Sequence, residues 1–445
     1  MDVLLVILMF ASFMLVLFTG FPVAFVLGGV GVLFAALGSV LEPLDIGDVA
    51  ELRSIGFVAN RVFATVSSYS LIPMSMFIFM GFMLERSGVA ERLIDAMRRV
   101  LGPAPGGLAI AVVLIGVVLA ASTGIIGASV VLLATIALPS MINAGYARWV
   151  SAGTVGATGC LGILVPPSIM LVVMGDQLRI PVGDLFMGAI LPGLLLAGCF
   201  VLFILGYALL RPGAMPAIPA EQRSEASLAT QVRDILAALL APLLLVLSVL
   251  GSIIAGVASP TEASGIGAAG ATLLAVRSRQ LSWADFRKVC YQTGRTVAFL
   301  YALIFGASCF SVVLRGYGGD EVIENALHAL PFEPAGVLAL VILIVFLLGF
   351  FLDWMEIVLI VAPLVMPIMV GFGFDPVWVA ILLALCLQTS FLTPPVGMAL
   401  FYIRSASKEV SMVDIYKGAG PFVALQLLVL LLVAAYPPLA TWMIQ

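Results

Sequence analysis

Charge is what this sequence has least of. Asp, Glu, Lys and Arg make up 10% of its 445 residues, and the net charge is only −4. Nucleic acid binding needs a concentrated basic face, and no such face can be drawn from so few scattered charges. Histidine occurs once. His328, in a loop-like stretch with Glu321 and Glu324, reads as a surface residue, which argues against a histidine metal site or a catalytic triad. Cys160, Cys199, Cys290, Cys309 and Cys386 are odd in number and lack CxxC spacing, so neither a disulfide framework nor a zinc site is expected. No GxxxxGK[ST] loop is present, which argues against ATP hydrolysis by this chain. The start, MDVLLVILMF, lacks the basic residues and the A-x-A signal of a leader and reads as a first span.

Apolar residues take the place of the missing charge, at 63% of the chain and a mean hydropathy of +1.23. The apolar runs are helix-length, so the chain reads as an all-α polytopic membrane protein. Segments at about 3–18, 21–41, 68–86, 185–210, 235–257, 260–276, 296–314 and 418–443 can each span. Two others behave differently. In 106–141 the arm Leu108–Ala121 is only about 21 Å long against a hydrocarbon core of about 30 Å, and it meets A-A-S-T-G before the apolar run resumes. This predicts a re-entrant hairpin. Residues 335–371, with LLGFFLDWME at their midpoint, predict a second. Residues 147–175 and 375–403 are long enough for one span but carry CLGILVPPS and QTSFLTPPVG in their middles, so each predicts a broken helix.

With the N-terminus outside, only Arg53, Arg61, Arg179 and Arg315 of the 20 Lys and Arg lie on the outer side. That asymmetry predicts an inner-membrane protein with both termini periplasmic. Adding 228 to the numbering carries Pro166-Pro167 onto Pro394-Pro395 and also carries Pro139, Gly145 and Gly88 onto Pro367, Gly373 and Gly316. Each half holds an odd number of spans, so the halves are inverted. The expected fold is an inverted repeat of about ten spanning helices with two re-entrant hairpins and two broken helices. Residues 1–210 form the first repeat, 211–233 a cytoplasmic linker, and 234–445 the second repeat.

An inverted repeat with broken helices points to a secondary transporter whose site lies between the halves. Proline removes donors and frees carbonyls one turn back, here near Gly162 and Val165, and such carbonyls suit a hard cation such as Na⁺. The half-helix after each Pro pair suits an anion at its N-terminus. The candidate Na⁺ ligands are Ser122, Thr123, Gly124, Gly162, Val165, Asp353, Thr389 and Thr393. The candidate substrate residues are Ser129, Pro166, Pro167, Ser168, Glu356, Gln388, Ser390, Pro394 and Pro395. Asp353 and Glu356 stand out because intramembrane carboxylates are expensive. Asp353 is read as the cation ligand and Glu356 as nearer the rim. Glu262 is explained without function, by helix capping from Thr261. A stand-alone organic anion carrier, or an H⁺-coupled one with Asp353 or Glu356 as the proton site, is the alternative these residues leave open.

FTGFPVAFVLG, GFMLERSGVAERLID, IALPSMINAGY, LGILVPPSIML, LFMGAILPGLLL, SPTEASGIGA and LTPPVGMALF occur in that order and cover nearly the whole chain. Together they resemble the large membrane subunit of tripartite ATP-independent periplasmic (TRAP) transporters, the DctM-like proteins. The resemblance implies an elevator-type, ion-transporter-like architecture and a Na⁺-driven importer of organic acids rather than an enzyme. It implies a DctQ-like small four-helix membrane subunit and a DctP-like periplasmic solute-binding protein as partners. The moving part would be about 68–175 and 296–407, and the scaffold would include 1–41, 185–277 and 418–443. The tip ASTGIIGAS and the sequences DWME and LQTSFLTPP depart from the commoner pattern. They fit a divergent branch, one for bulkier or aromatic acids for instance, and leave the substrate open.

Overall fold

Proline and short capping side chains mark where the helices begin. Pro73, Pro260, Pro334 and Pro376 each occupy one of the first two positions of a helix, where the missing N–H is not needed. Ser259 with Glu262, Ser282 with Asp285 and Ser411 with Asp414 close reciprocal capping boxes. The cap of the helix at 260 is thus Ser259 and not Thr261, whose hydroxyl donates to the Tyr69 carbonyl at 3.2 Å. Pro260 fills the first turn and shifts the cap one residue upstream.

The structure, a computed structural model, describes residues 2–41, 52–123, 126–217, 228–279 and 281–444. All regular elements among them are helical. The first half comprises α1 (Asp2–Leu17), α2 (Val23–Leu41), α3 (Ile55–Val66), α4 (Ile72–Arg86), α5 (Val89–Leu101), α6 (Gly107–Thr123), α7 (Ile126–Asn143), α8 (Arg148–Cys160), α9 (Ile169–Leu178) and α10 (Val182–Leu210). The second comprises α11 (Leu228–Ile254), α12 (Pro260–Arg277), α13 (Trp283–Gly316), α14 (Gly319–His328) and α15 (Pro334–Leu348). It continues with α16 (Trp354–Glu356), a π turn (Ile357–Val361) and α17 (Ala362–Gly371) in one rod, then α18 (Pro376–Leu392), α19 (Met398–Ala406) and α20 (Met412–Ala435).

Among the described residues, six helices, α2, α7, α10, α13, the rod Trp354–Gly371 and α20, are long and apolar enough to cross a membrane on their own, and the bent pair Leu52–Val66 with Tyr69–Arg86 makes up to seven. This is a multi-pass membrane protein. α1, with 16 residues, is shorter than any of these six, and α12 is diluted by Thr261, Glu262, Ser264 and its glycines. The halves also differ in one element. In the first, α3 and α4 are separated by a 58° bend at Ser67-Ser68. In the second, the corresponding connector and span fuse into the 34-residue α13, which contains no proline.

Two groups of close packing stand out, joined where α4 lies on α6 and α9. α2 lies along α13, and α12 lies along α4 and α11. Adding 228 carries α4 into α13, so the two pairings exchange between halves. Glycine makes the first of these crossings close: a Cβ at Gly306 would run into the Ala24 carbonyl, and one at Gly31 would lie 2.9 Å from the Cys309 Sγ. In the second set, α8 packs on α7, α6 and α20, while α10 packs on α6, α9, α18 and α20. Gly153 and Gly418 bring the α8 and α20 backbones into direct contact.

The segment after α10 is fixed to this second set. The Gly106 N–H donates to the Met215 carbonyl at 3.1 Å and the Ala147 N–H to the Ala214 carbonyl at 2.9 Å. Residues 211–217 therefore clip the bases of α6 and α8. Of the expected linker, 218–227 lie outside the described residues, and Leu228 onward is already helix.

Candidate functional site

At the first break, α8 ends in a 3-10 turn at Leu161–Ile163, and helix resumes only at Ile169. The Pro166-Pro167 bond is cis, as is Pro394-Pro395. Ser168 occupies the N-cap of α9, yet its hydroxyl donates back to the Ile163 carbonyl at 2.6 Å. It thus pairs a carbonyl left without an amide by the prolines. Gly162, Val165, Pro166, Pro167 and Ser168 are all buried.

The second break follows the same logic. α18 ends at Leu392, Thr393 is extended, and α19 starts at Met398. Thr389 donates to the Leu385 carbonyl at 2.7 Å, Ser390 to Leu387 at 2.8 Å and Thr393 to Thr389 at 2.7 Å. Each of these hydroxyls spends its proton on its own helix and keeps its lone pairs. A hydroxyl in that state can ligate a cation but cannot donate to a carboxylate without turning. Gln388 is fully buried, and neither end of its amide has a partner. Pro394 is half-buried and Pro395 exposed, its carbonyl accepting from the Tyr416 hydroxyl at 3.0 Å.

At the first hairpin tip, Gly124 lies outside the described residues, and Ser122 and Thr123 are placed only as the last backbone of α6. Ser129 is buried in α7. At the second tip the order of the acids reverses the expectation. Asp353 is half-buried and caps α16, its Oδ1 accepting from the Trp354 N–H at 2.8 Å. Glu356 is the deep one, 3% exposed with Oε2 unpartnered. The helix begins after Asp353, so the two side chains do not share a face as an unbroken helix would require.

The tips and breaks are brought together across the halves. α7 packs on α8 and on α19 of the other half, whereas the π turn and α17 pack on α9. A Cβ at Gly127 would come within 3.1 Å of the Tyr402 ring, and one at Gly159 within 2.9 Å of the Val130 Cα. Gly349, just before the second tip, allows Ser390 to lie against the hairpin backbone. The described helix beside each tip thus lies against a break carrying oxygen donors. Gly127 stands in the tip motif, where close approach is what glycine permits, but Gly159, Gly349 and Tyr402 escaped the sequence reading, since glycine in an apolar run does not reveal what it faces. Also unforeseen is the hydrogen bond from the Ser68 hydroxyl to Asp176 Oδ1, 3.0 Å long, which joins the approach to α4 with the end of α9.

Comparison with known proteins accounts for the pattern. The family description "Tripartite ATP-independent periplasmic transporter, DctM component" matches residues 10–439. The chain belongs to the DctM family. Among its DctM relatives, the C4-dicarboxylate TRAP transporter large permease protein of Pseudomonas aeruginosa is 32% identical, over 86% of this chain and 88% of that one. The isethionate TRAP transporter permease protein DctMQ of Oleidesulfovibrio alaskensis is 29% identical, over 96% of this chain and 65% of that one. The crystal structure of the YdaH transporter of Alcanivorax borkumensis superposes with a TM-score of 0.67 at 16% identity, covering 94% of this chain and 99% of that one, and so shares the fold. This DctM chain is a transporter permease subunit and not an enzyme.

Proposed function

We propose that this chain is the Na⁺-coupled permease of an organic-acid importer in the bacterial inner membrane. The observation that carries this reading is the pair of helix breaks, each packed against a hairpin helix and lined by oxygens whose protons are already committed. Na⁺ would take lone pairs from Thr389, Thr393 and Asp353 on one side and from Ser122, Thr123 and the carbonyls of Gly124, Gly162 and Val165 on the other. The organic anion would sit between, held by the Gln388 amide and the half-helices after Pro166-Pro167 and Pro394-Pro395, beside Ser129 and Glu356, with the Ser168 and Ser390 hydroxyls turning from Ile163 and Leu387 to donate to it. Gln388, buried with its amide unpaired, is a ready donor.

The two relatives handle a dicarboxylate and, by its name, isethionate; their shared chemistry is an anionic head on a small organic body. We assign a carboxylate solute, handed over by a DctP-like periplasmic binding protein, with a separate DctQ-like small subunit beside the permease. Movement would be of the elevator kind. The packing supports a division different from the one read in the sequence: α6–α10 and α15–α20 move, α1–α4 and α11–α13 stay, and α5 and α14 connect them. α10 and α20 join the moving body because they hold the broken helices.

The test is uptake into proteoliposomes holding the permease, its small subunit and its binding protein. An inward Na⁺ gradient should drive accumulation that fails with K⁺ or with a pH gradient alone. Uptake driven by the pH gradient without Na⁺ would replace this reading with proton coupling, which the buried, unpartnered oxygen of Glu356 favours.

A further inference from the structure

The ends of α8, α10 and α20 meet on the side that the distribution of Lys and Arg assigns to the cytoplasm, and they leave a groove of about 780 Å³. Arg211 and Lys417 stand on its rim, and Trp149, Tyr207 and Leu210 line its wall. The Lys417 ammonium lies 5.3 Å from the centre of the Trp149 ring, and Trp149 meets Tyr207 edge-on at 5.4 Å. Among the described residues, neither Arg211 nor Lys417 forms an ion pair. The acid nearest in sequence, Asp414, already accepts from the Ser411 hydroxyl at 2.7 Å and closes the α20 cap. The floor is rigid, since Ala214 and Met215 are hydrogen-bonded to the bases of α8 and α6.

Two cations with no ion pair among the described residues, set over an aromatic wall, call for an anion with several acceptor oxygens. A neighbouring stripe of α10 shows what such an anion carries. Leu202, Leu205 and Leu209 follow one another at helical spacing and are exposed, so an apolar surface leads from the groove into the membrane. Trp and Tyr at the end of a spanning helix mark headgroup depth. We propose that this groove binds the phosphate headgroup of an anionic phospholipid of the cytoplasmic leaflet, with an acyl chain along the leucine stripe.

Native mass spectrometry of the full-length chain in detergent tests this, titrating dioleoyl phosphatidylglycerol and dioleoyl phosphatidylcholine. Phosphatidylglycerol should bind in preference, and the double variant Arg211→Gln/Lys417→Gln should lose about fivefold or more of that binding. Arg287→Gln/Arg295→Gln, which removes two exposed charges on α13, should leave it unchanged. Equal binding to the wild type and the Arg211/Lys417 variant overturns the proposal. So does displacement of the lipid by inorganic phosphate, which would make the site one for a free anion. If the variant fails to fold, a photoactivatable phosphatidylglycerol on wild-type protein keeps the question decidable. Label on α10 and α20 peptides supports the site, and label only elsewhere refutes it.

Discussion

A carboxyl oxygen buried without a partner costs about 1–3 kcal/mol or more, and Glu356 carries one. Such a cost persists only where the group does something. Glu356→Gln should therefore yield a permease that unfolds at the same temperature or higher, while its gradient-driven uptake falls by about tenfold or more. Undiminished uptake would remove this carboxylate from the transport cycle. Asp353 needs a finer comparison because it also caps α16. Asp353→Asn keeps an accepting oxygen at the cap, whereas Asp353→Ala loses about 1 kcal/mol of stability. If Asp353→Asn retains full Na⁺-dependent uptake and melts like the wild type, the residue is a cap and not a ligand. Both acids were visible in the sequence simply because carboxylates are rare in apolar runs. Their order of depth was not, because it depends on where the helix starts, and Asp353 lies just outside it. The hydroxyls of Thr389, Ser390 and Thr393 were legible as residues near a break; the direction of their protons was not.

At the scale of elements, prolines and glycines carried most of the signal. The two Pro pairs announced both breaks, and the short arm of α6 announced a turn. What those letters could not convey is contact. Gly153 rests on the backbone of Gly418, which cannot withdraw, whereas a Cβ at Gly270 would meet only the mobile end of Leu245. Gly153→Ala should thus destabilise by about 1–3 kcal/mol or more, and Gly270→Ala by much less. Thermal unfolding in detergent separates them, and equal melting temperatures would contradict the close crossing. The fused α13 was also hidden, since an amphipathic connector and an apolar span look like two elements until the absence of proline between them is weighed.

For the whole molecule, the repeat was legible because a single shift of the numbering aligns several prolines and glycines. Which helices pack together was not. α10 and α20 look like ordinary spans, and only their contacts with α8 and α18 place them with the broken helices. The Ser68 to Asp176 hydrogen bond crosses the proposed boundary between the two bodies. Cysteines at these two positions, in a chain cleared of its five native ones, should form a disulfide that stops uptake until a reductant is added. Full uptake with the crosslink verified would mean that α4 and α9 do not move relative to one another.

The clip formed by residues 211–217 has a practical corollary. Ala214 and Met215 belong structurally to the first half, held to α8 and α6, while helix resumes in the second half at Leu228. The halves meanwhile embrace through α2 with α13 and α4 with α12. A gene divided between codons 218 and 227 should therefore give two polypeptides that complement each other when co-expressed. Moving the division upstream of Arg211 would transfer the clip to the wrong fragment and weaken that complementation.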